Sequence, residues 1–223
     1  MPTPAHPTGV LLDRLEALVG LVGRRRGLAL SPSGALARAE ARSVAATTGL
    51  PSGATSEVAL LAAVGVAVGL LRVRGQRLEV TSLRTPWSHI DQRLRAGIIY
   101  AAWCHRMPWP PVLGPDQAID RLHERRVPVL RMLHGLPAAV DVDVAALAER
   151  VAGPPAGRSG GEATALFAAA FLAPLGALGV ADLDPPPPAT PGRLRLLPDA
   201  RTVVAAALLA AGEEVPVAPA TAN

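Results

Sequence analysis

Two apolar runs dominate the pattern of the chain. Ser56–Leu71 reads SEVALLAAVGVAVGLL, and the segment that follows it, RVRGQRLEVT, alternates polar and apolar residues. About 105 residues later GEATALFAAAFLAPLGALGV leads into ADLD, a proline-rich loop and RLRLL. Each run is long enough for a helix, and each alternating stretch has the two-residue period of a strand. The pattern therefore predicts a buried helix followed by a strand-turn-strand ribbon, twice. In the first ribbon Gly75-Gln76 suits a type II′ turn, because glycine stands first. That turn pairs Arg74 with Arg77, Val73 with Leu78 and Arg72 with Glu79. Val73, Leu78 and Val80 are then expected to face the core, with Arg72, Arg74, Arg77 and Glu79 in water. Arg74 and Arg77 project together from the tip.

The flanking segments add helices. Leu11, Leu15, Leu18 and Val22 repeat at helical spacing, which predicts a helix from about Gly9 to Arg24 capped by Thr8. An extended stretch at Gly27–Leu30 and the turn Ser31-Pro32-Ser33-Gly34, read also as an N-cap, lead to a second helix that ends at Thr48 before Gly49. Ser56 is the expected cap of the third helix. Thr85-Pro86 opens a fourth, buried through Ile90, Leu94 and Ile98, with a break at Gly97. Met107-Pro108-Trp109-Pro110-Pro111 excludes helix and marks a seam. Beyond it the reading places a helix from about Pro115 that carries Arg121, Glu124, Arg125 and Arg126. A segment from Pro128 to Gly135 follows, then the helix Val144–Val151 capped by Asp141 or Asp143. Next come the apolar helix Glu162–Leu178 kinked by Pro174, strands Val180–Leu183 and Arg193–Leu196, and a final helix Asp199–Ala211. Helix, helix, helix, ribbon, helix thus occurs twice.

GLLRVRGQRLEVT and LGVADLD…GRLRLLPDAR resemble the ribbon signature of the winged helix-turn-helix superfamily: a leucine-ended helix, a strand, a wing and a strand, closed by threonine. Thr81 fits that closing position, and Leu197 replaces it in the second segment. The stretch from LALSPSGALARAEARSVAATTGL through EVTS is similar to uncharacterised winged-helix-like proteins of high-GC bacteria. The resemblance implies a mainly α fold with small β-ribbons (α+β) built as two tandem winged-helix domains. Their expected bounds are 9–110 and 111–212, between flexible tails at 1–8 and 213–223. It also implies DNA binding, with the helix before each ribbon in the major groove and the wing on the backbone.

The residues of those helices argue against base reading. Discrimination of base edges needs Arg, Lys, Asn or Gln, and Val58–Leu71 and Ala165–Leu178 contain none. A helix apolar all round is expected to be buried on all sides. Phosphate contacts are a separate matter. All 22 basic residues are arginine; residues 1–110 hold 13 Arg and 6 Asp or Glu, a net +7, and residues 111–223 hold 9 and 12, a net −3. The absence of lysine, with the abundance of Ala, Gly and Pro, matches the codon bias of a GC-rich genome. The candidate phosphate contacts are Arg72, Arg74 and Arg77 on the wing, Arg24, Arg25 and Arg26 at the end of the first helix, and Arg38 with Arg42 on the second.

These features point to a DNA-associated regulator that makes sequence-independent contacts with double-stranded DNA through the basic half. The alternative is a protein-interaction scaffold, binding a partner or itself through the apolar helices. No enzyme, cofactor or metal is expected. Cys104 and His105 are adjacent and diverge by about 100° on a helix, too far to form a thiolate–imidazole pair. The histidines lack zinc-ligand spacing, and GPPAGRSGG lacks the Gly-Lys-Ser/Thr end of a phosphate loop. Trp87, Tyr100, Trp103 and Trp109 fall in one region and are expected as core or interdomain seam rather than as a ligand cage. With one cysteine, no signal-like N-terminus and no run long enough for a bilayer, the expected setting is cytoplasmic and away from membranes.

Overall fold

A computed structural model describes residues 9–106, 124–152, 160–187 and 189–215. The protein is mainly helical, with two small three-stranded antiparallel sheets, an α+β arrangement. Its first half consists of α1 (Val10–Arg24), β1 (Leu28–Ala29), α2 (Arg38–Thr48), α3 (Thr55–Val68), β2 (Leu71–Arg74), β3 (Arg77–Val80), α4 (Arg84–Ser88) and α5 (Gln92–His105). The second half consists of α6 (Arg126–Gly135), β4 (Asp141–Asp143), α7 (Val144–Ala152), α8 (Gly160–Phe167), a π-helical turn at Ala168–Leu172, α9 (Ala173–Ala177), β5 (Ala181–Asp184), β6 (Arg193–Leu196) and α10 (Ala200–Ala210). The Pro108–Pro111 seam and the helix expected from Pro115 lie outside the described residues.

Both sheets have the same topology, β1-β3-β2 and β4-β6-β5, with the last strand of each in the middle. The third strand, β1 or β4, comes from the segment ahead of the second helix. At two and three residues these strands are too short to show a period in the sequence. The wing register is as predicted: Arg74 opposes Arg77, Val73 opposes Leu78 and Arg72 opposes Glu79. Gly75 has φ +56 while Gln76 stays out of the positive region, which fits a type II′ turn and excludes type I′.

Several helix starts differ from expectation. α1 is capped at Gly9, with no side-chain bond, not at Thr8. Gly9 packs so closely on Leu178 that a Cβ there would lie 2.2 Å from the Leu178 carbonyl oxygen. Ser31–Gly34 does not cap α2. It turns a small hairpin in which Leu30 bridges Leu36, so the helix starts only at Arg38. Ser56 lies inside α3, which begins at Thr55. In the second half Asp143 is the cap, its Oδ1 accepting from the Ala146 N–H at 2.8 Å. Asp141 instead accepts two hydrogen bonds from Arg195 across the sheet, at 2.7 and 2.9 Å.

The fourth helix of the sequence reading is two helices. The chain breaks at His89–Asp91, and Asp91 restarts it by accepting from the Arg93 N–H at 2.8 Å. The restart rotates the buried stripe. Leu94 and Ile98 are exposed, and Ala96, Ile99, Tyr100 and Trp103 are buried in their place. Gly97 does not break α5; it is the point where α10 crosses it. A Cβ on Gly97 would lie 2.8 Å from the Cβ of Ala206. Arg93 pairs with Asp199 at 3.1 Å near the starts of α5 and α10, and His105 meets the Ala207 carbonyl at 2.8 Å near their ends. The two helices therefore run in the same direction.

α5 also reaches into the apolar helix of the second half. Pro174 has no N–H to give the carbonyl of Ala170, four residues back. That carbonyl accepts from Trp103 Nε1 at 2.9 Å, and the next one, Phe171, accepts from the Tyr100 hydroxyl at 3.1 Å. The strain that was read as a kink at Pro174 is taken up by the π-turn just before it. One continuous apolar cluster spans both halves.

Candidate functional site

The candidate arginines of the first half stand at the end of α1, on α2 and on the wing, and their roles differ. Arg72 pairs with Glu79 at 3.3 Å, as the register predicted. Arg77 does not project with Arg74. It lies back along β1, its Nη2 donating to the carbonyls of Arg26 (3.3 Å) and Gly27 (3.1 Å). The chain leaves α1 through two positive-φ residues, Arg26 at 54° and Gly27 at 109°, so the helix end presents carbonyls to a cation. Arg25 bridges α1 to α2, donating to Glu40 Oε2 at 2.7 Å and to Ser43 Oγ at 3.2 Å. Arg24, Arg26, Arg38, Arg42 and Arg74 are exposed and have no carboxylate partner among the described residues. Arg84, which the sequence reading passed over, joins this group. Its guanidinium lies against Gly23, where a Cβ would be 2.7 Å away.

The surface of α3 departs most from expectation. From Val58 onward the helix is apolar all round yet is not buried all round; its first turn, Thr55-Ser56-Glu57, is polar and exposed. Val58, Leu61, Val64 and Val68 enter the core, and Ala59, Ala63 and Val66 are exposed. Val73, expected in the core, is 57% exposed. It shares a sheet face with Leu78, but β2 is an edge strand, paired with β3 alone among the described residues. Between α3, the ribbon and the Ser31–Leu36 hairpin lies an open apolar groove of about 330 Å³. Among the described residues Arg106, at the end of α5, is the one charged residue in its lining, and it donates to the Ala67 carbonyl at 3.4 Å. No local motif marks either feature.

The residues screened for chemistry are placed as packing groups. Cys104 is fully buried beside Tyr100, and burial pushes its thiol up to about 12. His105 points elsewhere, to the Ala207 carbonyl. Trp87 and Trp103 are buried, as expected; Trp109 lies outside the described residues. Among the described residues no three His, Cys, Asp or Glu side chains gather as metal ligands do, and no helix is long and apolar enough to cross a membrane.

Burial holds His105 below the ordinary histidine value of 6.5, with Arg126 and Arg106 adding to the effect against the Ala207 hydrogen bond. His134 is lowered too, first by burial and then by Arg201. The unfolded chain takes up these protons near pH 6.5, whereas the folded chain resists them until a lower pH. Stability is therefore full above about pH 6.5 and falls as the pH drops below it. Urea unfolding across this range should show that fall, and His105→Gln should flatten it in part, leaving the share of His134. A midpoint that does not fall on acidification contradicts the assignment.

Comparison with known proteins finds no matching family model, no matching curated protein and no matching solved structure.

Proposed function

We propose that the two halves are tandem winged-helix units and that the chain acts as a protein-interaction scaffold. The repeated order of helix, strand, helix, helix, strand, strand, helix supports the fold reading, as does the central placement of the last strand in each sheet. One observation carries the function: beyond its polar first turn, Thr55-Ser56-Glu57, the outward face of α3 is Ala59, Ala63 and Val66. A helix that reads DNA presents donors and acceptors on that face, and exposed apolar residues bordering a groove suit a protein surface.

A second reading, a DNA-associated regulator with sequence-independent phosphate contacts, draws on the unpaired arginines Arg24, Arg26, Arg38, Arg42 and Arg74, with Arg84 beside them. Arg72 and Arg77 contribute less to it, because each is already engaged within the fold. A salt titration of binding to random duplex DNA separates the two. A scaffold gives weak binding, with a log–log slope of about −1 or none. A slope of about −4 or steeper reports several released counterions and puts the regulator first. In that case Arg74→Ala should reduce the slope by about 1 and weaken all sequences equally.

A further inference from the structure

The groove on α3 has a shape and charge that select among occupants. Its floor runs from Ala59 to Val66, about 10 Å at the helical rise. Ala59 and Ala63 stand one turn apart, so a second helix can approach closely there. Leu36 and Val73 wall the two sides. The volume is at the low end for small-molecule pockets, and among the described residues no set of polar groups converges to orient a compact ligand. A DNA groove finds no donors on this floor. Arg106 closes one end without a carboxylate partner among the described residues. A guanidinium has five N–H donors, and among the described residues this one bonds only to Ala67, which leaves the fork open to a carboxylate. Among the described residues no acidic one lines the groove, and residues 1–110 carry a net +7. A second copy docked symmetrically would set two such basic surfaces together, which like-charge repulsion opposes.

We propose that this groove receives one face of an acidic amphipathic helix from another protein. Apolar side chains of that helix seat on Ala59, Ala63 and Val66, and one carboxylate pairs with Arg106. The inference deepens the scaffold reading and rests on it. Recognition is of the helix-in-groove kind, with anchors at i, i+3 or i+4, and i+7.

The test uses the full chain and a displayed library of random peptides about three helical turns long, with amide shift mapping of the enriched sequences. Enriched peptides should combine helically spaced apolar residues with net negative charge, and should shift Ala59, Ala63, Val66 and Val73. Ala63→Glu, at an exposed helical position, should weaken them tenfold or more with the melting temperature unchanged. Arg106→Glu, the second variant, should select basic peptides instead. Such an inversion does not follow from a loss of folding. Enriched peptides that map elsewhere, for example to the exposed Leu94 and Ile98 of α5, overturn the groove and leave the scaffold reading standing. Peptides that bind Arg106→Glu as well as the parent overturn the acidic partner. A dimer in sedimentation that Ala63→Glu dissociates makes the occupant a second copy and overturns the proposal. No enrichment, together with a steep salt slope on DNA, removes both readings.

Discussion

Trp103→Ala should cost about 4 kcal/mol in urea unfolding, within the range for emptying a buried aromatic site. The indole is 6% exposed, and it donates to the carbonyl that Pro174 cannot serve. Alanine leaves a cavity at the junction of α5 with the π-turn and takes the indole donor from a buried carbonyl, itself a loss of about 1–3 kcal/mol. Against a typical total of about 5–15 kcal/mol, that is a large share. Trp103→Phe keeps most of the ring volume and loses the donor, so it should cost about 1–2 kcal/mol. The native protein should also show blue-shifted emission, with Trp87 and Trp103 both buried. A Trp103→Ala cost below about 1.5 kcal/mol would mean that the two halves are not held together through this side chain, since emptying a well-packed site costs more.

Gly97→Leu should cost about 3 kcal/mol, at the upper end of ordinary overpacking. The first added carbon alone would stand 2.8 Å from the Cβ of Ala206 and 3.8 Å from the Cα of Val203. Leucine adds three more, so α5 and α10 must separate. Gly97→Ala is the control. Its Cβ meets the Ala206 Cβ at 2.8 Å, so the two backbones must still move apart, but it adds no further carbon and gains about 1 kcal/mol of helix propensity, so it should cost about 1 kcal/mol, clearly less than leucine. Adding Ala206→Gly to Gly97→Leu should recover part of the loss. A double-mutant cycle then gives a coupling energy of about 1 kcal/mol or more for residues in contact. Equal costs for the leucine and alanine variants would show that this crossing is not tight.

The features legible in the sequence were those set by local geometry. A two-residue turn with glycine first dictates which residues of β2 and β3 stand opposite each other, so the Arg72–Glu79 pair followed directly. The C-terminus of α2 at Gly49 was legible for the same reason, its φ of 66° being one that glycine adopts freely. What depended on distant parts of the chain was not. The stripe on α5 was misread because Asp91 restarts the helix, and residues 90, 94 and 98 no longer share a buried face. Arg77 looked like a wing-tip cation because nothing near it shows that carbonyls about 50 residues earlier turn toward its guanidinium. For α3 the composition was read correctly and the exposure was not. Periodicity cannot show which side of a uniformly apolar helix is left without a neighbour.

The crossing of α5 and α10 at Gly97 and Ala206 resembles the meeting of two subunits, but both helices belong to one polypeptide. For linked modules the effective concentration is of millimolar order, so this contact does not depend on how dilute the protein is, and the stoichiometry is one to one by construction. A homodimer must present the same surface twice, and this chain is free of that constraint. Its first half is basic and carries an open apolar groove, while its second half has a net negative charge. Covalent joining thus lets a two-part assembly be built from unlike faces without needing to select the right partner for each.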